Sequence, residues 1–237
     1  MGIDACVILF LKAPEKGRVK TRLAASLGNE RALDLYRCFV EDTIGMLDRD
    51  GLRLLIFFTP PSSRSVVVAW LGDRYSLVPQ EGEDLGRRMH HAFQTAFARG
   101  FNAAVIIGGD SPDLPCRIID EALTALEDRD VVLGPARDGG YYLIGFRKGA
   151  FLPDAFFGIS WSAPDVFAKT LAILRDAGRR VHILPLWQDV DTLQDLRALV
   201  SRNAGTAFRQ SATMTCIERA HGLLGGPVTT LGEGRAE

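Results

Sequence analysis

The chain has 237 residues, of which 47% are hydrophobic and 24% charged, and its net charge is −1. That length suits one α/β domain with a small appendage and is enough to bury a sizeable core. The balanced charge argues against a global nucleic-acid or membrane-binding surface, so any basic site must be local. The four cysteines, Cys6, Cys38, Cys116 and Cys216, are scattered with no C-x-x-C pair. This spacing argues against structural zinc or a disulfide framework, and a reducing, cytoplasmic setting is expected.

Residues 5–11 form an apolar run, too short to span a membrane and without a signal-peptide pattern, and read as a first buried strand. The stretch from Lys12 to Leu23 follows. It places five cations, Lys12, Lys16, Arg18, Lys20 and Arg22, within eleven residues, and Pro14 and Gly17 enforce a loop. A loop after the first strand of an α/β sheet is where phosphates sit, and cations with free backbone N–H groups make an anion cradle. A solvated basic loop is the plainer reading. The pattern is neither a Walker A loop nor G-x-G-x-x-G.

A helix is predicted over 29–49, with Leu33, Tyr36, Val40, Ile44 and Leu47 at helical spacing. A strand at 52–58 stops at Pro60-Pro61, and a short helix over 64–71 and a weak strand at 75–78 follow. Asp84 is an N-cap for a helix over 85–99, buried through Met89, Phe93 and Phe97. His90 and His91 are adjacent and cannot share a metal on one helix face, so both read as packing or surface residues.

The run Ala103–Ile107 reads as a strand of β-branched and small residues, broken by Gly108-Gly109-Asp110-Ser111-Pro112. Asp110 either bonds its own backbone in a turn or, at a strand's carboxyl end, holds a cation against a phosphate. A helix from Pro115 to about 127 and a strand at 130–135 come next. Asp138-Gly139-Gly140 then joins that strand to another at 141–146. It is a hairpin signal, and its glycines also let the backbone approach a ligand, with Asp138 and Tyr141 touching acceptor hydroxyls. Residues 147–162 are irregular, and Phe151, Phe156, Phe157 and Trp161 either line an acceptor pocket or cover a core edge. A helix at 164–177 and a strand at 181–184 lead to Asp189-Val190-Asp191-Thr192 before a helix at 193–200. Asp191 or Thr192 can cap that helix, and a carboxylate here can also be a second metal ligand. Residues 207–223 read as a further helix and 222–237 as a loose Gly-rich tail. The division is therefore a domain over 1–204 with an appendage over 205–237. Alternating strands and helices indicate a three-layer α/β domain with a mainly parallel sheet, and the hairpin adds one antiparallel strand.

Five motifs occur in order: Phe10-Leu11-Lys12-Ala13-Pro14, Gly17-Arg18-Val19-Lys20-Thr21-Arg22-Leu23, Gly109-Asp110-Ser111-Pro112, Gly134-Pro135 through Asp138-Gly139-Gly140-Tyr141-Tyr142, and Asp189-Val190-Asp191-Thr192. Together they resemble the bacterial glycosyltransferase-like family of the nucleotide-diphospho-sugar transferase (GT-A) superfamily, over roughly residues 5–200. The resemblance implies the GT-A fold, a nucleotide site at the first loop and a metal at Asp110. Lys20-Thr21-Arg22-Leu23 is also similar to phospholactate guanylyltransferases and, more loosely, to molybdenum-cofactor guanylyltransferases, in which this loop grips a triphosphate. The final Asp-x-Asp-Thr resembles the second metal motif of sugar-acid cytidylyltransferases and points to Asp191 more than Asp189. The chain lacks the Asp-x-Asp of many glycosyltransferases and the Gly-x-Gly-x-Arg loop of sugar nucleotidyltransferases.

The expectation is a metal-dependent nucleotidyl transfer from a nucleoside triphosphate to a small anionic acceptor, releasing pyrophosphate. Lys12, Lys20 and Arg22, assisted by Arg18 and by the backbone at Gly17 and Gly109, neutralise the triphosphate. Asp110 and Asp191 hold Mg²⁺ or Mn²⁺, and Asp138, Gly139, Gly140 and Tyr141 meet the acceptor. One alternative is glycosyl transfer from a nucleotide sugar, with Asp138 as base. The other is a nucleotide-binding module without catalysis. The base is read by the first loop and by the region from Gln80 to Arg88. The sequence names neither base nor acceptor, and it sets no oligomeric state.

Overall fold

The computed structural model describes residues 3–219. Seven strands form one sheet: β1 (Ala5–Lys12), β2 (Arg53–Thr59), β3 (Ser76–Pro79), β4 (Ala103–Gly108), β5 (Val131–Pro135), β6 (Tyr141–Arg147) and β7 (Val181–Ile183). Their spatial order is β3-β2-β1-β4-β6-β5-β7. β1 lies parallel to both β2 and β4, β2 to β3, and β5 to β7. β6 alone runs against its neighbours β4 and β5. The sheet is thus mainly parallel with one antiparallel strand, as the alternating pattern and the Asp-Gly-Gly turn predicted.

Successive strand residues point to opposite faces, and each face has its own core. Val7, Leu9 and Leu11 of β1 join Tyr36, Val40 and Ile44 on one side. Cys6 and Ile8 join Phe93, Phe146 and Phe156 on the other. The first face is covered by α2 (Asn29–Leu47), α3 (Arg64–Leu71) and α5 (Cys116–Ala125), and the second by α4 (Leu85–Ala98) and α6 (Val166–Asp176). Fully burying a side chain of Phe size stabilises by about 1.5–3 kcal/mol each, so the cluster of Phe93, Phe146 and Phe156 is a large part of the second face. Phe151 packs on the same cluster. Two of the loop aromatics therefore cover a core edge.

A third core lies beside the sheet. Leu23 and Leu27 of α1 (Thr21–Leu27), Leu35 and Phe39 of α2, Leu196 and Leu199 of α7 (Leu193–Arg202), and Met214 and Ile217 of α8 (Ala212–Arg219) meet around Val190. α2 therefore has two buried stripes. The helical spacing predicts only the stripe through Tyr36 and Val40, and the basic residues up to Leu23 hide the start of α1. The helix expected over 207–223 is broken: Ala207–Gln210 is a short 3-10 turn, extended Ser211 interrupts it, and α8 begins at Ala212. Residues 220–223 and the rest of the expected tail lie outside the described residues. No helix among the described residues is long and apolar enough to cross a membrane.

Candidate active site

β1, β2 and β4 run parallel, so the loops that leave them share one edge of the sheet, where α/β folds bind ligands. A cavity of about 450 Å³ opens there. Its walls come from the ends of β1 and β4, from Lys20 and Arg22, from Gln80, Arg88 and Met89, and from the segment around Asp189.

Lys20 is the centre of this edge. Among the described residues it is the only non-glycine with left-handed backbone, at φ 46° and ψ 47°. That conformation costs roughly 1–2 kcal/mol, so the surroundings must hold it. The side chain is 3% exposed. Its Nζ donates to Asp110 Oδ1 at 2.5 Å, to Asp191 Oδ1 at 2.9 Å and to the Val190 carbonyl at 2.7 Å. An ammonium has three N–H groups, and all three are taken. The Phe39 ring centroid lies 5.7 Å away. Burial works to lower the Lys20 pKa, but Asp110 and then Asp191 outweigh it and hold the value above the usual lysine range. Lys20 is thus a buried, fully partnered cation.

Each carboxylate is placed by a separate local device. A Cβ on Gly109 would come 2.9 Å from Val40 Cγ2, so glycine lets the turn lie directly on α2. Asp110 makes no bond to its own turn and instead faces Lys20. Burial would raise its carboxyl pKa, yet the Lys20 ammonium, the bond to it and the charge of Lys12 hold it below the usual carboxylate range. At α7 the cap is Thr192. Its hydroxyl accepts from Asp195 N–H at 3.2 Å, and the Asp195 carboxylate accepts from Thr192 N–H at 2.8 Å. This capping box leaves the Asp191 carboxylate free to turn towards Lys20.

Backbone and buried side chains lock the two loops together. Val190 N–H donates to the Asp110 carbonyl at 2.9 Å, while its side chain is fully buried in the third core. Ser111 donates its hydroxyl to Asp189 Oδ1 at 2.6 Å. Burial pushes the Asp189 carboxyl up to about 6, helped by Asp110 and Asp138 and opposed by Ser111 and Lys20. Arg202, near the end of α7, grips the buried Asp113 carboxylate with two bonds of 2.6 and 2.7 Å, and Asn203 adds a third at 2.8 Å. On the other wall, the Tyr36 hydroxyl accepts from Lys12 N–H at 2.8 Å and donates to the Lys12 carbonyl at 2.9 Å. Buried Gln80 donates to the Leu11 and Phe57 carbonyls at 3.2 and 2.9 Å, tying β3 to the end of β1. None of Ser111, Asp113, Arg202, Tyr36 and Gln80 was assigned a positioning role from sequence. Their partners lie 23 to 89 residues away, and no local pattern marks such pairs.

The structure sorts the other predicted residues. Lys12, Lys20, Arg22, Gly109, Asp110, Asp191 and Tyr141 line the cavity. Gly17, Arg18, Asp138, Gly139 and Gly140 do not. Lys16 pairs with Glu30, and Arg18 with Glu15 at 3.3 Å, both on the surface. Arg22 reaches within 4.0 Å of Asp191 Oδ2, and Lys12 makes no ion pair among the described residues. Asp138 accepts from Gly140 N–H at 2.9 Å, closing its own turn. Gly139 has φ 90°, and a Cβ there would meet the Pro164 carbonyl oxygen at 1.8 Å.

The donor set at Lys20 fits a hard divalent cation. Asp110 and Asp191 converge on one point, keep 51% and 44% of their side-chain surface exposed on the cleft side, and offer only oxygen. Among the described residues there is no cluster of three or more His, Cys, Asp or Glu side chains arranged as a metal cage. One or two carboxylates completed by phosphate oxygens and water is the usual Mg²⁺ arrangement, and this site offers two.

Residues 43–163 match a family described as an uncharacterized protein conserved in bacteria, DUF2064. A crystal structure from Desulfovibrio desulfuricans G20, provisionally named a nucleotide-diphospho-sugar transferase, is 43% identical with a TM-score of 0.90, covering 94% of this chain and 97% of that one. The chain belongs to the DUF2064 family. The family match holds Asp110 and the Asp138 turn, whereas Lys20 and Asp191 lie on either side of it and reach Asp110 only through the fold. The inositol-1-phosphate CTP transferase of T. maritima is similar at a TM-score of 0.53 and 16% identity, covering 86% of this chain and 99% of that one. A CMP:2-keto-3-deoxy-manno-octonic acid synthetase solved with CTP is similar at 0.52 and 13%, covering 84% and 99%. These two likenesses show that this DUF2064 chain shares its fold with those two enzymes. No curated protein matches the sequence significantly.

Proposed function

We propose that this protein is a transferase that uses a nucleotide, and that its reaction is nucleotidyl transfer from a nucleoside triphosphate to a small anionic acceptor with release of pyrophosphate. The observation that carries this reading is the Lys20 ammonium held between Asp110 and Asp191 at the floor of the cleft. Lys12, Arg22 and Arg88 are the cavity's cations left to bind phosphate, since Lys20 has no free donor. Asp110 and Asp191 would hold Mg²⁺ or Mn²⁺, which supplies charge neutralisation at the reacting phosphate. Lys20 fixes the separation of the two carboxylates and keeps Asp110 ionised, so the site meets its ligand already arranged. No side chain needs to form a covalent bond, because positioning and charge neutralisation supply most of the acceleration in phosphoryl chemistry. The names of the cytidylyltransferases that share the fold are in keeping with this chemistry.

Glycosyl transfer from a nucleotide sugar is the second reading, favoured by the provisional name of the 43% identical relative. In it Asp138 and Tyr141, with Gly139 and Gly140, face the acceptor. Calorimetric titration with GTP, CTP, UTP, ATP and UDP- or GDP-sugars, with and without Mg²⁺ or Mn²⁺, separates the two. Metal-dependent binding of one triphosphate, and pyrophosphate as product, support nucleotidyl transfer. Preference for a nucleotide sugar, and a free nucleoside diphosphate as product, support the second reading. Binding of neither class would overturn both.

A further inference from the structure

Away from the cleft, α8 lies on α2. The Asp42 carboxylate of α2 accepts from the first backbone N–H groups of α8, Ala212 at 2.9 Å and Thr213 at 2.8 Å. This fixes the register of the pair. Cys38 stands four residues before Asp42, and Cys216 four residues after Ala212; on an α-helix each step is about one turn, roughly 6 Å. Asp34, Leu35 and Cys38 share a surface cavity with Ala212, Cys216 and Arg219. The two helices therefore run antiparallel here, and the two cysteines face each other one turn beyond the cap. Both thiols open onto that cavity, and both are partly exposed.

We propose that Cys38 and Cys216 are a reversible dithiol–disulfide pair that joins α8 to α2. A low-molecular-weight disulfide such as oxidised glutathione is the oxidant. The Cys216 thiolate attacks one glutathione sulfur, forming a mixed disulfide and releasing one glutathione thiolate, which takes a proton. Cys38 then loses its proton to solvent and attacks Cys216 Sγ, expelling the second glutathione. Two protein thiols are oxidised, and one glutathione disulfide is reduced to two thiols. The order of attack follows from the surroundings: the neighbouring Cys38 thiol holds the Cys216 thiol below the usual cysteine range, whereas the same neighbour and burial push Cys38 up. The other two cysteines provide internal controls. Cys6 is fully buried and its thiol is pushed up to about 12, chiefly by burial, whereas Cys116 is exposed on α5.

This inference rests on helix packing and is independent of the nucleotide reading. The test treats the full, reduced chain with oxidised glutathione, blocks remaining thiols with N-ethylmaleimide, and maps peptides by mass spectrometry. The expected product joins the Cys38 and Cys216 peptides, leaves Cys6 out of any disulfide, and reverts with dithiothreitol. Cys38→Ser should stop at a glutathione adduct on Cys216. The cross-linked chain should melt at least about 3 °C above the reduced one, because the bond closes a long loop in the unfolded state. Three results would overturn the proposal: Cys38 and Cys216 both remaining alkylatable, a stable glutathione adduct on Cys216 in the unsubstituted chain, or a cross-linked chain that melts lower than the reduced one.

Discussion

Two turns among the described residues set an aspartate beside a pair of glycines, Gly108-Gly109-Asp110 and Asp138-Gly139-Gly140, and they end in opposite states. Asp138 bends back and accepts from Gly140 N–H two residues away, so its turn is complete in itself. Asp110 leaves its own backbone alone and takes its partner from Lys20, ninety residues earlier in the chain. The difference lies in what surrounds each turn. The Asp138 turn is pinned by Pro164, whose carbonyl oxygen sits where a Gly139 Cβ would be, and Phe167 N–H donates to the Gly139 carbonyl at 2.9 Å. The Asp110 turn is laid on Val40, with the Lys20 ammonium in front of it. A carboxylate that has closed its own turn contributes to stability, whereas one held by a remote cation in the lining of a cleft is available for a ligand.

Exchanging the two roles by mutation gives the strongest test of this contrast. Asp110→Ala should lower turnover by roughly 10³-fold or more, the scale expected when a group that organises transition-state charge is lost. Its thermal midpoint should stay within a few degrees, since Lys20 keeps Asp191 and Val190. Metal-dependent turnover surviving in D110A would remove Asp110 from the chemistry.

Lys20→Met addresses the remote partner. Two carboxylates would then face each other without a counter-charge, at a cost of about 2–4 kcal/mol near neutral pH. The sign with pH follows from Asp110, whose carboxyl lies below the usual range in the folded state. Its pairing stabilises at pH values above the unfolded value of 3.8 and is lost as the pH falls through the folded one. Urea melts at pH 7 and well below pH 3.8 should show the K20M penalty shrinking towards acid. A penalty independent of pH would mean that packing, not charge, holds Lys20.

Gly139→Ala should cost about 3 kcal/mol, because it adds a Cβ at φ 90° directly against the Pro164 carbonyl. Urea denaturation reads this directly, and a change below about 0.5 kcal/mol would mean that the turn is not pinned.

The smallest effect is expected at Asp138→Ala: about 1 kcal/mol of stability from the lost turn bond, with turnover reduced less than roughly 10-fold. If turnover instead collapsed as far as in D110A, Asp138 would belong to the chemistry and the glycosyl reading would gain.

Local pattern was sufficient for the strands and most helices, because a buried strand next to a helical stripe leaves its period in the residues themselves. The antiparallel strand was legible for the same reason, from a turn that closes within three residues. The candidate carboxylates were also visible as Asp110 and Asp191 at strand or helix boundaries. The basic loop was legible only as a total of charge. Packing divided its five cations into two surface ion pairs, at Lys16 and Arg18, and three that reach the cleft. The third core around Val190, the left-handed Lys20 and the facing thiols of Cys38 and Cys216 depend on residues far apart in the chain, as Lys20 and Asp191 are at 171 positions. Contacts of that range carry no periodic signal. They are settled when the loops of parallel strands are brought to one edge, and when α8 is capped by a carboxylate of α2.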